Sequence, residues 1–184
     1  MAHPAPQPQG RRPRLAVHKF SSCDGCQLAF LDLGEDLLRV AEATEIVHFL
    51  EAGVDGPEAE ADITFVEGSI STPDEAERIR AVRSRSRFLV TMGACATSGG
   101  IQALRNLSRG DRWLAEIYPN PEYIELLDTA TGIHEHVAVD LELWGCPVNG
   151  RQVVQAVRGL LFGAPPEPEN HKVCQDCKRA GTIC

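Results

Sequence analysis

Leu15-Ala16-Val17-His18-Lys19-Phe20 runs directly into Ser21-Ser22-Cys23-Asp24-Gly25-Cys26-Gln27. The first six residues form a short apolar run of strand length, and the next seven are a polar loop that contains a glycine. From Gln27 to Val40 apolar residues recur at helical spacing, at Leu28, Leu31, Leu37 and Leu38. Strand, loop and helix make the repeating unit of an α/β sheet, and here the loop carries two thiols in a C-x-x-C turn.

The same alternation continues along the chain. Glu45 to Leu50 and Asp62 to Val66 read as two further strands separated by a turn over Gly53 to Pro57. Thr72-Pro73-Asp74-Glu75 opens a helix that runs to about Arg85, with proline in its first turn and acids at its positive end. Phe88 to Met92 is a buried strand broken by Gly93-Ala94-Cys95, and Gly99 to Leu107 is predicted to be helical. Ser108 to His136 mixes prolines, glycine and polar residues and is expected to supply partner contacts. Val137 to Trp144 alternates as a fifth strand, broken by Gly145-Cys146-Pro147, and Arg151 to Phe162 forms an amphipathic helix ended by Gly163.

Short apolar strands alternating with helices predict an α/β fold, a flavodoxin-like doubly wound parallel sheet. Its expected organisation is a disordered extension over residues 1–14, a sheet domain over 15–163, a stiff proline-rich linker over 164–170 and a short cysteine-rich C-terminal segment over 171–184. Neither G-x-G-x-x-G nor a P-loop follows a strand, which argues against a dinucleotide site.

The 18 Lys and Arg against 26 Asp and Glu give a formal net charge of -8, unsuited to nucleic acid. No run of about 18 apolar residues is present to cross a membrane. Arg11-Arg12 is followed by only Leu15 to Val17 before His18, too short for the apolar core of an export signal. The seven cysteines would leave one over from a disulfide framework, and a reduced, cytoplasmic location is expected.

In a sheet of this type the loops after the strands converge on one crevice, which brings Cys23 and Cys26 after the first strand, Cys95 after the fourth and Cys146 after the fifth to one point. Four convergent thiolates suit an iron-sulfur cluster, and Gly25, Gly93, Gly99, Gly100 and Gly145 allow backbone N–H groups to approach sulfur. Structural zinc is the alternative, although zinc sites usually close within a short segment. Buried free thiols are the other. Glu67, after the third strand, faces the same crevice and is a candidate proton relay; a helix cap or an ion pair with arginine is the ordinary alternative. His18, His48, His134 and His136 read as structural or exposed. The tail offers Cys174, Cys177 and Cys184, one ligand short of a second set. Either His171 completes it or a fourth thiolate lies beyond Cys184, and the latter is favoured; a zinc-ribbon fragment is the alternative.

Four motifs occur in order: Ser22-Cys23-Asp24-Gly25-Cys26-Gln27, Val66-Glu67-Gly68-Ser69, Gly93-Ala94-Cys95-Ala96-Thr97-Ser98-Gly99-Gly100 and Gly145-Cys146-Pro147. With them the chain resembles the small subunit of a nickel-iron hydrogenase over roughly residues 15 to 184. Ile101 to Arg105, Asn149 and the C-x-x-C-K-x-x-G-x-x-C tail resemble the cytoplasmic NAD(P)-linked group, sulfhydrogenase delta subunits included. Val148 stands where many members have a second proline, unlike the membrane-bound uptake group. Two residues separate Cys23 from Cys26, whereas the related complex I subunit has adjacent cysteines, which argues against quinone reduction.

The resemblance implies that Cys23, Cys26, Cys95 and Cys146 bind a proximal 4Fe-4S cluster beside a nickel-iron centre held by a separate large subunit. It likewise implies that Cys174, Cys177 and Cys184 bind a second iron-sulfur cluster. The expected function is that of an oxidoreductase subunit, not catalytic alone, relaying electrons to a flavin subunit that reduces NAD(P). The rivals are a hydrogenase small subunit coupled to a deazaflavin or disulfide reductase and a zinc-stabilised, redox-inert scaffold.

Overall fold

The computed structural model describes residues 10–107, 110–164 and 177–182. Five strands form its sheet: β1 (Arg14–Lys19), β2 (Glu45–Phe49), β3 (Ala61–Glu67), β4 (Ser86–Met92) and β5 (Leu141–Leu143). Their order is β2-β1-β3-β4-β5 and every neighbouring pair is parallel. This is the flavodoxin-like doubly wound arrangement, in which the winding reverses between β1 and β3 and leaves a crevice at their C-terminal ends.

Central strands of a parallel sheet are covered on both faces and alternate their side chains between two cores. Leu15, Val17, Ile63, Phe65, Val90 and Met92 point to one core. There they meet Phe30 of α1 (Gly25–Leu31), Val40 of α2 (Glu35–Ala43) and Val153 and Val157 of the C-terminal helix (Gly150–Leu161). Val66 and Leu89 point the other way, to Ile79 and Val82 of α3 (Pro73–Ser84), Ala96 of α4 (Gly93–Ser98) and Ile133. Helix α5 spans Gly110–Ile117, and the C-terminal helix is therefore α6. A capping box starts α3: Thr72 Oγ1 accepts the Glu75 N–H at 3.2 Å while the Glu75 carboxylate accepts the Thr72 N–H at 3.2 Å.

The chain departs from the periodic reading in three places. The predicted helix over 27–40 divides into α1 and α2 at Gly34, whose φ of 59° a helical residue cannot take, and Leu28 and Leu38 on its apolar stripe are exposed. The residues after β4 begin α4 at once instead of a loop. The fifth strand is only three residues long, because Asp140 closes off its start: its N–H donates to the Leu89 carbonyl at 2.9 Å and its carboxylate accepts the Leu89 N–H at 2.7 Å. The predicted linker falls largely on residues 165–170, outside the described residues. Before β1, Arg11 forms an ion pair with Asp62 at 2.8 Å, and the Arg14 N–H donates to the same carboxylate at 2.8 Å. Among the described residues no helix is long and apolar enough to cross a membrane.

Candidate metal centre

The four core cysteines stand at the C-terminal edge of the sheet, after β1, β4 and β5. The loop after β1 turns at Asp24, whose φ of 66° is left-handed. The Lys19 ammonium pairs with the Asp24 carboxylate at 2.7 Å, and Ser22 Oγ accepts the Asp24 N–H at 3.3 Å. That turn leaves Cys23 exposed and points Cys26 into the core, where Cys26 packs among the apolar residues over β1, β3 and β4.

Glycines let the remaining loops close on these sulfurs. A Cβ added at Gly93, where φ is 86°, would stand 2.3 Å from the Cys26 sulfur, and one at Gly25 would stand 3.4 Å from the Cys23 sulfur. The Ala94 N–H donates to the Gly145 carbonyl at 2.6 Å, locking the Cys95 loop to the Cys146 loop. Beyond the cis Cys146–Pro147 peptide, the Val148 N–H donates to the Cys26 sulfur at 3.4 Å. The structure thus brings the three loops together, and all four cysteines are free thiols.

Burial pushes the Cys26 thiol up to about 12, opposed by the Val148 N–H, with Glu67, Cys95 and Cys146 adding to the rise. Burial also raises Cys95; the Ile101 N–H and the Gln102 amide oppose it, while Cys146 and Cys23 reinforce it. The thiols therefore feel one another's charge, and a cation at their midst would favour the thiolates. Among the described residues no three His, Cys, Asp or Glu side chains draw close enough to hold a single ion. A tetrahedral zinc, with metal-sulfur bonds of about 2.3 Å, needs that closeness. A four-iron cube takes one thiolate at each iron and accepts a wider set.

Glu67 is the last residue of β3 and is buried. Its Oε1 accepts the Cys26 N–H at 3.0 Å, and its Oε2 is buried with no hydrogen-bond partner. Burial raises its pKa, against the opposing effect of the Cys26 N–H and the Gln27 side chain beside it. The cap of α3, the ordinary alternative for Glu67, is supplied by Glu75, and Glu67 instead accepts a first-turn N–H of α1. His18 and His48 are buried against each other, with ring centroids 4.4 Å apart and planes tilted by 32°. In the tail, Cys177 opens a turn in which its carbonyl accepts the Thr182 N–H at 3.0 Å. Cys174, Cys184 and His171 lie outside the described residues. In the sequence Val148 stands out only for not being a second proline, and its N–H reaches the Cys26 sulfur through the turn before it, a contact that residue order does not announce.

The family described as NADH ubiquinone oxidoreductase, 20 Kd subunit, matches residues 23–160, which include Cys23, Cys26, Glu67, Cys95 and Cys146. The chain belongs to this family. Within the 20 Kd subunit family of oxidoreductases it falls with hydrogenase subunits. It is similar to the delta subunit of sulfhydrogenase 2 from Pyrococcus furiosus, 30% identical over 90% of this chain and 69% of that one. It is also similar to a subunit of the F420-non-reducing hydrogenase from Methanocaldococcus jannaschii, 28% identical over 90% of this chain and 62% of that one. The chain thus spans roughly two thirds of the length of these two relatives. Among solved structures, a chain of an NAD+-reducing nickel-iron hydrogenase in the H2-reduced state superposes with a TM-score of 0.78 at 30% identity. That match covers 87% of this chain and 97% of the other. The expected hydrogenase small-subunit fold is therefore the fold found.

Proposed function

We propose that this chain is the electron-transfer small subunit of a soluble, cytoplasmic nickel-iron hydrogenase. It would relay electrons between the nickel-iron site of a large subunit and a flavin subunit that reduces NAD(P). The observation that carries this reading is the meeting of the loops that bear Cys23, Cys26, Cys95 and Cys146 at one edge of the sheet, with glycine backbone against the sulfurs of Cys23, Cys26 and Cys95.

The four thiolates would hold a proximal 4Fe-4S cluster, whose chemistry when bound is one-electron storage. Around it this chain does three things. Val148 sets its N–H toward the Cys26 sulfur. The packing of Cys26 into the sheet core excludes water from one side. Glu67 can hold a proton at Oε2 beside the centre, where burial favours its neutral form. Cys174, Cys177 and Cys184 would hold a second cluster on the path outward. The exposed apolar row of Ile101, Leu104 and Leu107, with Trp113 and Ile117 after it, supports a large-subunit contact that begins just before the predicted 108–136 segment.

A second reading, coupling to a deazaflavin or disulfide reductase, is favoured by the likeness to the F420-non-reducing relative. The NAD-linked reading is supported by the likeness to the NAD+-reducing hydrogenase structure, which superposes with a TM-score of 0.78 at 30% identity. The acceptor that reoxidises the purified complex under hydrogen decides between them.

Anaerobic reconstitution with iron and sulfide tests the core proposal. The expected result is a brown protein with about four irons bound at the core set, and Cys95→Ser is expected to abolish that uptake. A colourless chain that takes zinc instead would identify the redox-inert scaffold. Copurification from the native source with nickel analysis checks for the large subunit.

A further inference from the structure

Helix α3 meets the end of β1 with one face. Glu75 and Arg78, three residues apart and therefore neighbours on the helix surface, both reach the chain just before the first cysteine loop. Arg78 lies over the Phe20 ring, its guanidinium carbon 4.2 Å from the ring centre, and its Nη2 donates to the Lys19 carbonyl. The Ser21 hydroxyl donates to Glu75 Oε1 at 2.9 Å, with Oε2 at 3.2 Å, across 54 residues of chain.

Capping α3 does not account for the whole of that carboxylate. Oε2 accepts the Thr72 N–H at 3.2 Å, which closes the capping box, and the Ser71 N–H at 2.8 Å. Oε1 is left over from the cap and is turned to Ser21. A hydrogen bond to a carboxylate is roughly twice as strong as one between neutral groups. The rest of Ser21 is fixed as well: it exchanges two backbone hydrogen bonds with Ser69, of 3.2 and 2.9 Å, and its carbonyl accepts Gln102 Nε2, from the 3-10 helix Gly100–Leu107, at 2.9 Å. Ser21 is thus anchored at its N–H, its carbonyl and its hydroxyl, two residues before Cys23. At the far end of the loop Cys26 is held in the core, whereas Cys23 is exposed and depends on the chain that leads to it.

We infer that Glu75 is a positioning residue of the metal centre: while Oε2 caps α3, Oε1 holds the Ser21 hydroxyl and so fixes the point from which the chain turns toward Cys23. This rests on the reading of the four thiols as cluster ligands. How often a loop opens is set by the contacts that hold it, so a loosened Ser21 lays the Cys23 side of the centre open to a competing ligand.

The test uses the full chain reconstituted with iron and sulfide, and measures the rate at which the iron(II) chelator bathophenanthroline disulfonate strips iron from it. Ser21→Ala deletes the hydroxyl and keeps the backbone pair with Ser69; iron is expected to leave about tenfold faster, as for one lost hydrogen bond to a charged group. Ser21→Thr, which restores a hydroxyl, should release iron at the wild-type rate. Glu75→Ala should be at least as fast as Ser21→Ala, and the double variant no faster than Glu75→Ala alone. Thr72→Ala removes the other half of the capping box but leaves Ser21 its partner; it is expected to lower the urea midpoint without changing iron release. Release from Ser21→Ala at the wild-type rate, an equal acceleration in Thr72→Ala, or effects of Ser21→Ala and Glu75→Ala that multiply overturns the inference. If Ser21→Ala takes up no iron, backbone hydrogen exchange over residues 21–26 of the unloaded chain is compared across the same variants by the same criteria. A wild-type chain that takes up no iron overturns the proposed function and this inference with it, whereas a loaded chain indifferent to Ser21 and Glu75 overturns the inference alone.

Discussion

Glu67 Oε1 accepts the backbone N–H of Cys26 at 3.0 Å, so the carboxylate that ends β3 holds the first turn of α1 and, through it, one of the four thiols. Its second oxygen has no partner. Glu67→Gln keeps an acceptor for the Cys26 N–H and removes the titrating proton. Iron uptake is expected to survive this change, while hydrogen-dependent reduction of the acceptor by the complex falls by about a hundredfold, the low end for loss of a positioned proton carrier. Glu67→Leu orphans the buried Cys26 N–H and should cost about 1–3 kcal/mol of stability as well. Parallel iron analysis and urea unfolding separate the two effects.

Glu67 also leaves a mark on stability against pH. Its folded pKa is raised, so the folded state holds the proton more tightly than the unfolded chain. The stabilisation is complete below the unfolded value of about 4.3 and is lost as pH rises through the folded value. Glu67→Gln, with no charge to bury, should gain on the wild type as pH rises above the unfolded value of about 4.3. Urea midpoints of both proteins above that value measure the gain.

The buried His18 and His48 pair acts at the other end of the scale. Burial chiefly, then His48, Arg78 and Arg85, hold His18 down to about 3, and burial lowers His48 against the pull of Asp55. A histidine with a depressed folded pKa costs stability as pH falls below its unfolded value of about 6.5, at up to about 1.4 kcal/mol per pH unit, until the folded value is reached. The chain should therefore lose stability from about pH 6.5 toward about pH 4. His18→Leu should flatten that slope in urea titrations.

Gly93 has a φ of 86° and would place a Cβ 2.3 Å from the Cys26 sulfur. Gly93→Ala pays for a left-handed backbone with about 1–2 kcal/mol and also drives the sulfur from its position. The expected outcome is a lowered melting temperature together with loss of iron uptake. Gly163→Ala, at a φ of 71° with open space around it, should lower stability alone.

On the exposed row of the 3-10 helix, Leu104→Ser removes largely exposed apolar surface. Stability should stay within about 0.5 kcal/mol of the wild type, while the yield of large subunit copurified with the chain drops. A melting curve and a nickel assay of the purified complex read the two quantities.

Much of this protein could be read from residue order. Short apolar runs alternating with helical periods specify a parallel sheet, because such strands must be covered on both faces. The C-x-x-C loop, Cys95 and Cys146 each follow a strand, and strand ends in this fold share one edge. The family motifs carried the same residues. The fold of β1, the burial of Glu67 and the meeting of the three cysteine-bearing loops were accordingly legible in advance.

The tertiary structure alone decided what lies between those points. Gly34 divides one apolar period into two helices because a positive φ overrides periodicity. Asp140 shortens β5 by taking the Leu89 hydrogen bonds that a longer strand would have used. Val148 reaches the Cys26 sulfur, and Gln102 reaches the Ser21 carbonyl, across 122 and 81 residues of chain. Local propensity follows from neighbours in sequence, whereas a hydrogen bond between distant loops depends on where two separate chain paths meet, and only the packed sheet sets that distance.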